Sequence, residues 1–271
     1  MAEQTFQALE QAGWMAKADA YDELFATITD QAIGPILDSF GDIANKRVLD
    51  VACGTGHLAG VAANRGANSE GIDFASTMVA KAKERYPGVP FMEGDAEQLP
   101  YDDASFDAVA CGFGLLHMAR PDRVIKEAWR VLKSGGRYTF TVWCSPDQGG
   151  EFFKLVMGAV QKHGTLDVPL PPAPPVFRFS DPGECIKVLT EAGFDNPKVT
   201  VLALRWSAAK PEDVLNLIYK GAVRTPMVLE AQTAQAREAI HRAIVEGSEA
   251  FRKANAIEFR FPASMASATK S

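Results

Sequence analysis

Acids and glycines stand where short apolar runs of the sequence end. Asp50 closes the run from Val48, and a small-residue turn with Gly54 and Gly56 leads into a helical pattern. Such glycines let the backbone approach a ligand closely, and the exposed N–H groups at a helix start favour an anionic group. Asp73 ends the next run, where a carboxylate can accept hydrogen bonds from two ribose hydroxyls. The spacing predicts a strand, a tight turn and a helix N-terminus.

Two cofactor classes use a turn of this kind. The pattern Gly54-x-Gly56-x-x-Ala59 fits the dinucleotide fingerprint, and Asp73 follows at about the expected 20 residues. S-adenosylmethionine is the other class, since its carboxylate and ribose lie over the same turn. A glycine-rich turn that binds nothing is the third interpretation, and the glycines alone do not decide among the three.

The segment Asp50–Gly56 resembles motif I of the class I S-adenosylmethionine-dependent methyltransferases, in their small-molecule, methyltransferase-11-like branch. Three further segments match that family in order, at residues 71–78, 94–100 and 130–137, so the resemblance covers about residues 46 to 144. Ala52 departs from the family, which often has glycine there, and Ser134 replaces the proline of its common Lys-Pro-Gly-Gly. An NAD(P)-dependent oxidoreductase would explain the glycines and Asp73 but not the last two segments. A non-catalytic cofactor-binding protein that kept the fold is the second alternative.

The resemblance implies a Rossmann-like α/β/α sandwich whose seven-stranded sheet is mostly parallel, with an antiparallel last strand. Within one domain over residues 1–271, we expect an N-terminal helical cover at 1–45, a cofactor-binding core at 46–144 and a substrate-side half at 145–271. Two lid insertions are predicted in that half, at about 151–179, where prolines stiffen an extended segment, and at 211–254, which has a helical pattern. The apolar face of the second insertion is compatible with a cap, with packing on the sheet edge or with a dimer surface.

Apolar runs predict the strands themselves. They are expected at residues 46–51, up to 73, 90–93, 106–111, 137–143, 198–206 and 257–261.

The resemblance also assigns cofactor contacts. Asp73 would hold the ribose, although an N-cap role for the same carboxylate is the alternative. Asp95 would accept from the adenine amino group, Phe74 and Met78 would flank the ring, and Tyr21 is placed near the methionine end by position alone. The full expected set is Tyr21, Asp50, Ala52, Gly54, Gly56, Asp73, Phe74, Met78, Asp95, Ala96, Cys111 and Gly112.

His117, just after the fourth strand, is the candidate catalytic residue. An imidazole titrates near neutral pH and could take a proton from an acceptor hydroxyl, whereas a loop histidine that caps or packs beneath a helix is an equal alternative. Contacts to a small acceptor with an apolar body are expected from Phe113, His117, Trp143, Phe177, Arg178, Tyr219 and Arg224. Oxygen is the favoured methyl acceptor, while nitrogen and carbon stay open.

Composition limits the remaining classes. The chain has 271 residues, 47% of them hydrophobic, and a net charge of −6, so it can bury a core. No long Lys/Arg run marks a nucleic-acid partner, and no run is long enough to span a membrane. The N-terminal sequence does not fit a signal peptide, and the four cysteines are too far apart for a metal motif. We therefore expect a soluble cytoplasmic protein without a metal, and a homodimer is possible.

Overall fold

The computed structural model describes residues 5–271, so the first four residues of the predicted N-terminal cover lie outside it. Its strands are β1 (Arg47–Val51), β2 (Asn68–Asp73), β3 (Phe91–Glu93), β4 (Phe106–Gly112), β5 (Leu132–Trp143), β6 (Asp195–Ala208), β7 (Arg252–Lys253) and β8 (Ala256–Thr269). Its α-helices are α1 (Phe6–Glu23), α2 (Ala26–Thr29), α3 (Ile33–Ser39), α4 (His57–Asn64), α5 (Ser76–Arg85), α6 (Pro121–Val131), α7 (Glu151–His163), α8 (Pro182–Glu191), α9 (Asp213–Gly221), α10 (Arg224–Glu230) and α11 (Ala234–Ser248).

One twisted sheet organises these elements. Its strand order is β3-β2-β1-β4-β5-β8-β6, and the short β7 pairs with β8. Neighbours from β3 to β5 run parallel, whereas β8 is antiparallel to both β5 and β6. The predicted fold, with seven main strands and an antiparallel last strand, is thus confirmed. Because parallel strands end at one edge, β1, β2 and β4 bring Asp50, Asp73 and Gly112 together there.

The last strand is much longer than the sequence pattern indicates. Prediction ends it at residue 261, but β8 continues to Thr269 and pairs with β5 from Ala263 onward. This second half consists largely of alanine and serine, which lack the β-branched and aromatic signal of a strand. Its small side chains suit a central position, since Ala263 and Ala266 are fully buried between the two neighbouring strands.

The helical insertion at 211–254 packs into the main core as well as over the sheet edge. Leu217 of α9 and Ile240 of α11 are fully buried in the cluster that also holds Ile36 of α3 and Val156 of α7. The same insertion reaches α1, because a Cβ added to Gly13 would lie only 2.3 Å from a methyl group of Val223. It therefore joins the N-terminal cover to the body of the domain.

Within residues 5–271, no helix combines the length and the apolar character that a membrane crossing requires.

Candidate functional site

The turn after β1 holds a strained residue where glycine is usual. Ala52 has a φ of 57°, in the left-handed region that glycine adopts freely and a residue with a Cβ adopts at a cost. This geometry explains the family preference for glycine at that position. Gly54 and Gly56 follow with φ values of 52° and 84°, and a Cβ at Gly54 would meet no atom within 4 Å. The turn therefore leaves open space directly in front of its backbone.

Asp50 lies beneath this turn and accepts the N–H of Ala59 at 3.2 Å, near the start of α4. Its carboxyl is almost completely buried, and burial raises the pKa of Asp50 to about 7. Asp50 thus sits close to its protonation midpoint at neutral pH, and a cation bound nearby would favour its ionised form.

Asp73 ties the end of β2 to the same turn. One carboxylate oxygen accepts the N–H of Gly54 and the other accepts the N–H of Ala75, both at 2.9 Å. Burial raises the pKa of Asp73 above its usual value, although these backbone hydrogen bonds oppose the shift. The N-cap alternative is wrong, because the N-cap of α5 is Ala75 and Asp73 accepts the N–H of that residue, before the helix begins. Asp73 orders the turn and still lines a cavity.

Both carboxylate oxygens of Asp95, after β3, already accept hydrogen bonds from the protein. The Gln7 side chain of α1 donates to Asp95 Oδ2 at 3.0 Å, while the backbone of Glu97 donates to Oδ1 at 2.8 Å. The cavity beside them holds only about 10 Å³ and is lined by Gln7, Ala52, Ile72, Asp73, Phe74, Gly94, Asp95, Ala96, Glu97, His117, Met118 and Ala119. Access to Asp95 for a purine therefore requires α1 to withdraw Gln7.

A larger cavity of about 190 Å³ opens next to the turn. Its walls are mostly apolar and come from the sheet edge, from α1 and from both predicted lids. Phe113 and Trp143 stack in it with their ring centroids 4.1 Å apart. Ala173, Pro174 and Val176 bring in the proline-rich segment, and Ile218 with residues 221–225 brings in the second insertion. The cavity suits a flat, apolar molecule packed against this aromatic pair.

A third cavity, of about 60 Å³, lies on the other side of the turn. Tyr21, Asp50 and Gly54 are among its lining residues, and the Tyr21 hydroxyl hydrogen-bonds to Thr29 at 3.0 Å. Ala52 lines all three cavities, so they meet at the turn after β1. Together they make one groove with two small ends and a wide aromatic middle.

Ten of the twelve expected cofactor residues line this groove; the exceptions are Gly56 and Cys111. A Cβ at Gly56 would lie 2.7 Å from the Phe91 ring, so this glycine is needed for packing behind the turn. Cys111 is fully buried in β4, beneath the groove.

Three of the expected acceptor contacts lie away from the large cavity, whereas Phe113, His117, Trp143 and Arg224 line it. Arg178 forms ion pairs with Asp122 and Glu184. Phe177 packs on Phe153 instead, and the Tyr219 hydroxyl hydrogen-bonds to His241 at 2.7 Å. Proximity along the chain to the two lids suggested these residues, but their side chains already have partners in the surrounding structure.

His117 meets a carboxylate that sequence reasoning missed. Its Nδ1 lies 2.8 Å from Oε2 of Glu10 in α1, and the Trp14 ring packs edge-on against the imidazole. Glu10 is fully buried, and all three side chains line the large cavity. A signal was available, since Glu10 sits between Phe6 and Trp14 on the apolar face of a helix, where an unpaired acid would be costly.

Ionic contacts fasten the end of α1 to the glycine turn. Asp22 lies 2.6 Å from the Thr55 hydroxyl, 3.2 Å from His57 and 2.5 Å from Arg85, and His57 also contacts Asp30 at 2.7 Å. Hydrogen bonds to Asp22 and Asp30 raise the pKa of His57 to about 9, despite partial burial and the nearby Arg85 charge. Although burial opposes it, hydrogen bonds from His57, Arg85 and Thr55 hold the pKa of Asp22 well below its usual range. We call these five residues the α1 clasp.

In the part of the chain from residue 5 onward, no group of three or more His, Cys, Asp and Glu side chains is arranged to hold a metal ion. The four cysteines are all buried and unpaired with one another.

Comparison with known proteins gives the site a context. Residues 49–140 match the family described as a methyltransferase domain. A demethylmenaquinone methyltransferase from Renibacterium salmoninarum is 38% identical over 114 residues, which are 42% of this chain and 48% of that protein. The chain thus spans about half the length of the curated relatives it matches.

Solved structures show likeness over a larger share of the fold. The YcgJ protein from Bacillus subtilis aligns with a TM-score of 0.56 and 20% identity, over 88% of this chain and 97% of that one. A SAM-dependent methyltransferase from Thermotoga maritima aligns with a TM-score of 0.54 and 18% identity, over 97% of this chain and 100% of that one. At such identities the likeness shows the fold alone. The chain thus matches a methyltransferase domain within residues 49–140, and the four ordered motifs lie inside that matched part.

Proposed function

We propose that this chain transfers a methyl group from S-adenosylmethionine to a small organic acceptor with a flat, apolar body. The observation that carries the proposal is the groove, in which the glycine turn of a methyltransferase domain opens directly onto an aromatic cavity of about 190 Å³. Ligands of open α/β sheets bind at this edge, beyond the carboxyl ends of the strands.

The residues of the groove fit the cofactor. Asp73 would accept the ribose hydroxyls and Asp95 the adenine amino group once Gln7 withdraws. Ala52 and Gly54 leave room over the turn, and Asp50, whose pKa burial raises to about 7, would face the positively charged amino end from the third cavity. When bound, S-adenosylmethionine supplies a methyl group on a sulfonium: the acceptor's lone pair forms the new bond, and sulfur keeps the electron pair of the broken bond.

The acceptor would lie in the aromatic cavity, between the stacked pair Phe113–Trp143 and the lid segments. Arg224 and Thr225 give this cavity a polar side. The curated relatives are named for demethylmenaquinone, and that name supports a phenol- or quinol-like ring for this chain too. Oxygen stays the favoured acceptor atom. A ring carbon is the main alternative, because a deprotonated hydroxyl also makes the adjacent ring carbons nucleophilic.

In this proposal the protein aligns the acceptor with the methyl group, excludes water and receives a proton. Alignment falls to the aromatic walls, and water exclusion falls to α1 and the two lids. His117 lines the same cavity and is the proposed proton acceptor.

A calorimetric titration with S-adenosylhomocysteine, with NAD in parallel, tests the cofactor assignment. We expect micromolar binding of the former alone. Asp73→Ala should weaken that binding by about 1–3 kcal/mol, since a charged acceptor and two backbone hydrogen bonds are lost. Asp19→Asn, at a carboxylate that is 94% exposed on α1, is the control and should change nothing. Binding of NAD instead would support the oxidoreductase alternative.

Acceptor chemistry is tested with radiolabelled S-adenosylmethionine and a panel of phenols and hydroquinones. NMR of the product distinguishes an O-methyl from a ring C-methyl group. If the cofactor binds but no member of a broad panel is methylated, a non-catalytic protein that kept the cofactor site becomes the better description.

A further inference from the structure

Glu10 is buried like a core residue, but its hydrogen bonding is typical of a residue in a functional site. Its side chain is fully buried, and one oxygen contacts Nδ1 of His117 at 2.8 Å. The other oxygen, Oε1, is buried without a hydrogen-bond partner among the described residues. An unsatisfied buried carboxylate oxygen is costly, so Glu10 is poorly explained as a stabilising contact of α1.

Glu97 shows what a structural buried acid looks like in the same protein. It is equally inaccessible, but one of its oxygens accepts the backbone N–H of Arg120 at 2.7 Å and the other accepts from the guanidinium at 2.5 Å. Both oxygens and the charge are therefore compensated. Glu10 has only an imidazole as its partner, and that imidazole lines the large cavity.

The contact favours one tautomer of His117. With Glu10 ionised, its carboxylate only accepts hydrogen bonds, so Nδ1 then carries the hydrogen that lies between it and Glu10. In a neutral imidazole the proton-accepting atom is then Nε2, and no residue of the described chain hydrogen-bonds to that atom. The Trp14 ring, packed at 4.8 Å against the imidazole, hinders its rotation.

We infer that Glu10 is the positioning residue for His117, an inference that rests on the proposed function. Glu10 holds the imidazole with Nε2 free to receive the proton of the acceptor hydroxyl. The O–H bond breaks as oxygen forms its bond to the methyl carbon, the proton moves to Nε2, and the resulting imidazolium is stabilised by the Glu10 carboxylate. The imidazolium then returns its proton to solvent.

Because Glu10 belongs to α1, the Glu10–His117 contact also makes proton transfer depend on the position of this helix. The helix that closes over the groove carries the group that orients the base, so His117 is oriented only when α1 is in place. Water exclusion and base orientation are thus achieved by the same element.

Nitrogen-15 NMR of protein labelled in its histidines tests the pairing without any acceptor. Spectra are recorded with and without saturating S-adenosylhomocysteine, and His117→Asn assigns the signal among the four histidines. We expect His117 to be protonated at Nδ1 and unprotonated at Nε2 in the wild-type protein. Glu10→Gln should reduce that tautomer, because an amide can also donate to Nδ1. Glu23→Gln, an exposed position on the same helix, should leave it unchanged.

A kinetic arm separates this inference from the proposed function. With an acceptor identified, Glu10→Gln should lower kcat at least about tenfold and His117→Ala about a hundredfold or more, with KM for S-adenosylmethionine unchanged. More acidic phenols, which lose their proton readily, should show a smaller loss. An Nε2-protonated His117 in the wild type, or a tautomer unaffected by Glu10→Gln, overturns the inference. The expected tautomer in a protein that binds no S-adenosylhomocysteine would instead overturn the proposed function and leave the pairing intact.

Discussion

The carboxyl of Asp50 makes a prediction about pH and stability. Burial raises the pKa of Asp50 to about 7 in the folded protein, whereas an exposed aspartate titrates near 3.8. Between these values the folded state binds more protons than the unfolded state, so the contribution of Asp50 to stability falls as pH rises. Asp50→Asn stays neutral and can still accept the N–H of Ala59. We therefore expect the Tm of the variant minus the Tm of the wild type to rise from pH 4 to 7 and to stay constant above pH 7.

Thermal unfolding of both proteins between pH 4 and 8.5, without ligand, measures this difference. All other titrating groups are common to the two proteins, so their contributions largely cancel. A gap that stays constant or shrinks across this range would show that the Asp50 carboxyl is ionised well below neutrality in the folded state.

The α1 clasp makes a second prediction, about how one helix is held. Hydrogen bonds to Asp22 and Asp30 raise the pKa of His57 to about 9. A base with a raised pKa stabilises the fold fully below its ordinary value of 6.5 and loses that contribution as pH rises towards 9. His57→Gln should therefore lower the Tm at pH 6, and the gap to the wild type should close as pH approaches 9.

Hydrogen–deuterium exchange at neutral pH locates this effect. In His57→Gln, the amides of residues 6–23 should exchange faster while those of the sheet stay protected. Release of α1 would also free Asp95 from Gln7, so S-adenosylhomocysteine should bind faster. His163→Gln, at the end of α7, serves as the control. Unchanged exchange in α1 would mean that its apolar contacts alone hold the cover closed.

Whether the sequence predicts a feature depends on how far apart along the chain the interacting residues lie. Strand positions and the acids at their ends are local patterns, so Asp50, Asp73 and Asp95 were found at the sheet edge where the fold places them. Partnerships between distant segments have no local signal. Glu10 and His117 are 107 residues apart, and Arg178 was assigned to the acceptor although Asp122, 56 residues away, holds it.

The cover over the groove, which consists of α1 and the insertion at 211–254, is formed by segments far apart in the sequence. α1 and the insertion that begins near residue 211 are about 200 residues apart, yet Gln11 of α1 donates to the Phe74 carbonyl while the Lys17 ammonium donates to the Tyr219 carbonyl. The same helix thus bridges the cofactor side and the acceptor side. Closure of the groove is therefore a property of the whole fold, and packing between Gly13 and Val223 can test it.

The sign of the stability change caused by Gly13→Ala shows whether α1 and the insertion at 211–254 are in contact over the groove. In an isolated helix, replacing an interior glycine by alanine stabilises by about 1 kcal/mol. In the closed structure, however, the new Cβ would lie 2.3 Å from Val223, and overpacking of this kind costs about 1–3 kcal/mol. We expect Gly13→Ala to destabilise the wild-type protein but to be neutral or stabilising in a Val223→Ala background. Urea denaturation of the four proteins in this double-mutant cycle gives the coupling between the two sites. If Gly13→Ala stabilises both backgrounds equally, α1 and the insertion are apart in solution, and the aromatic cavity closes only when its ligands bind.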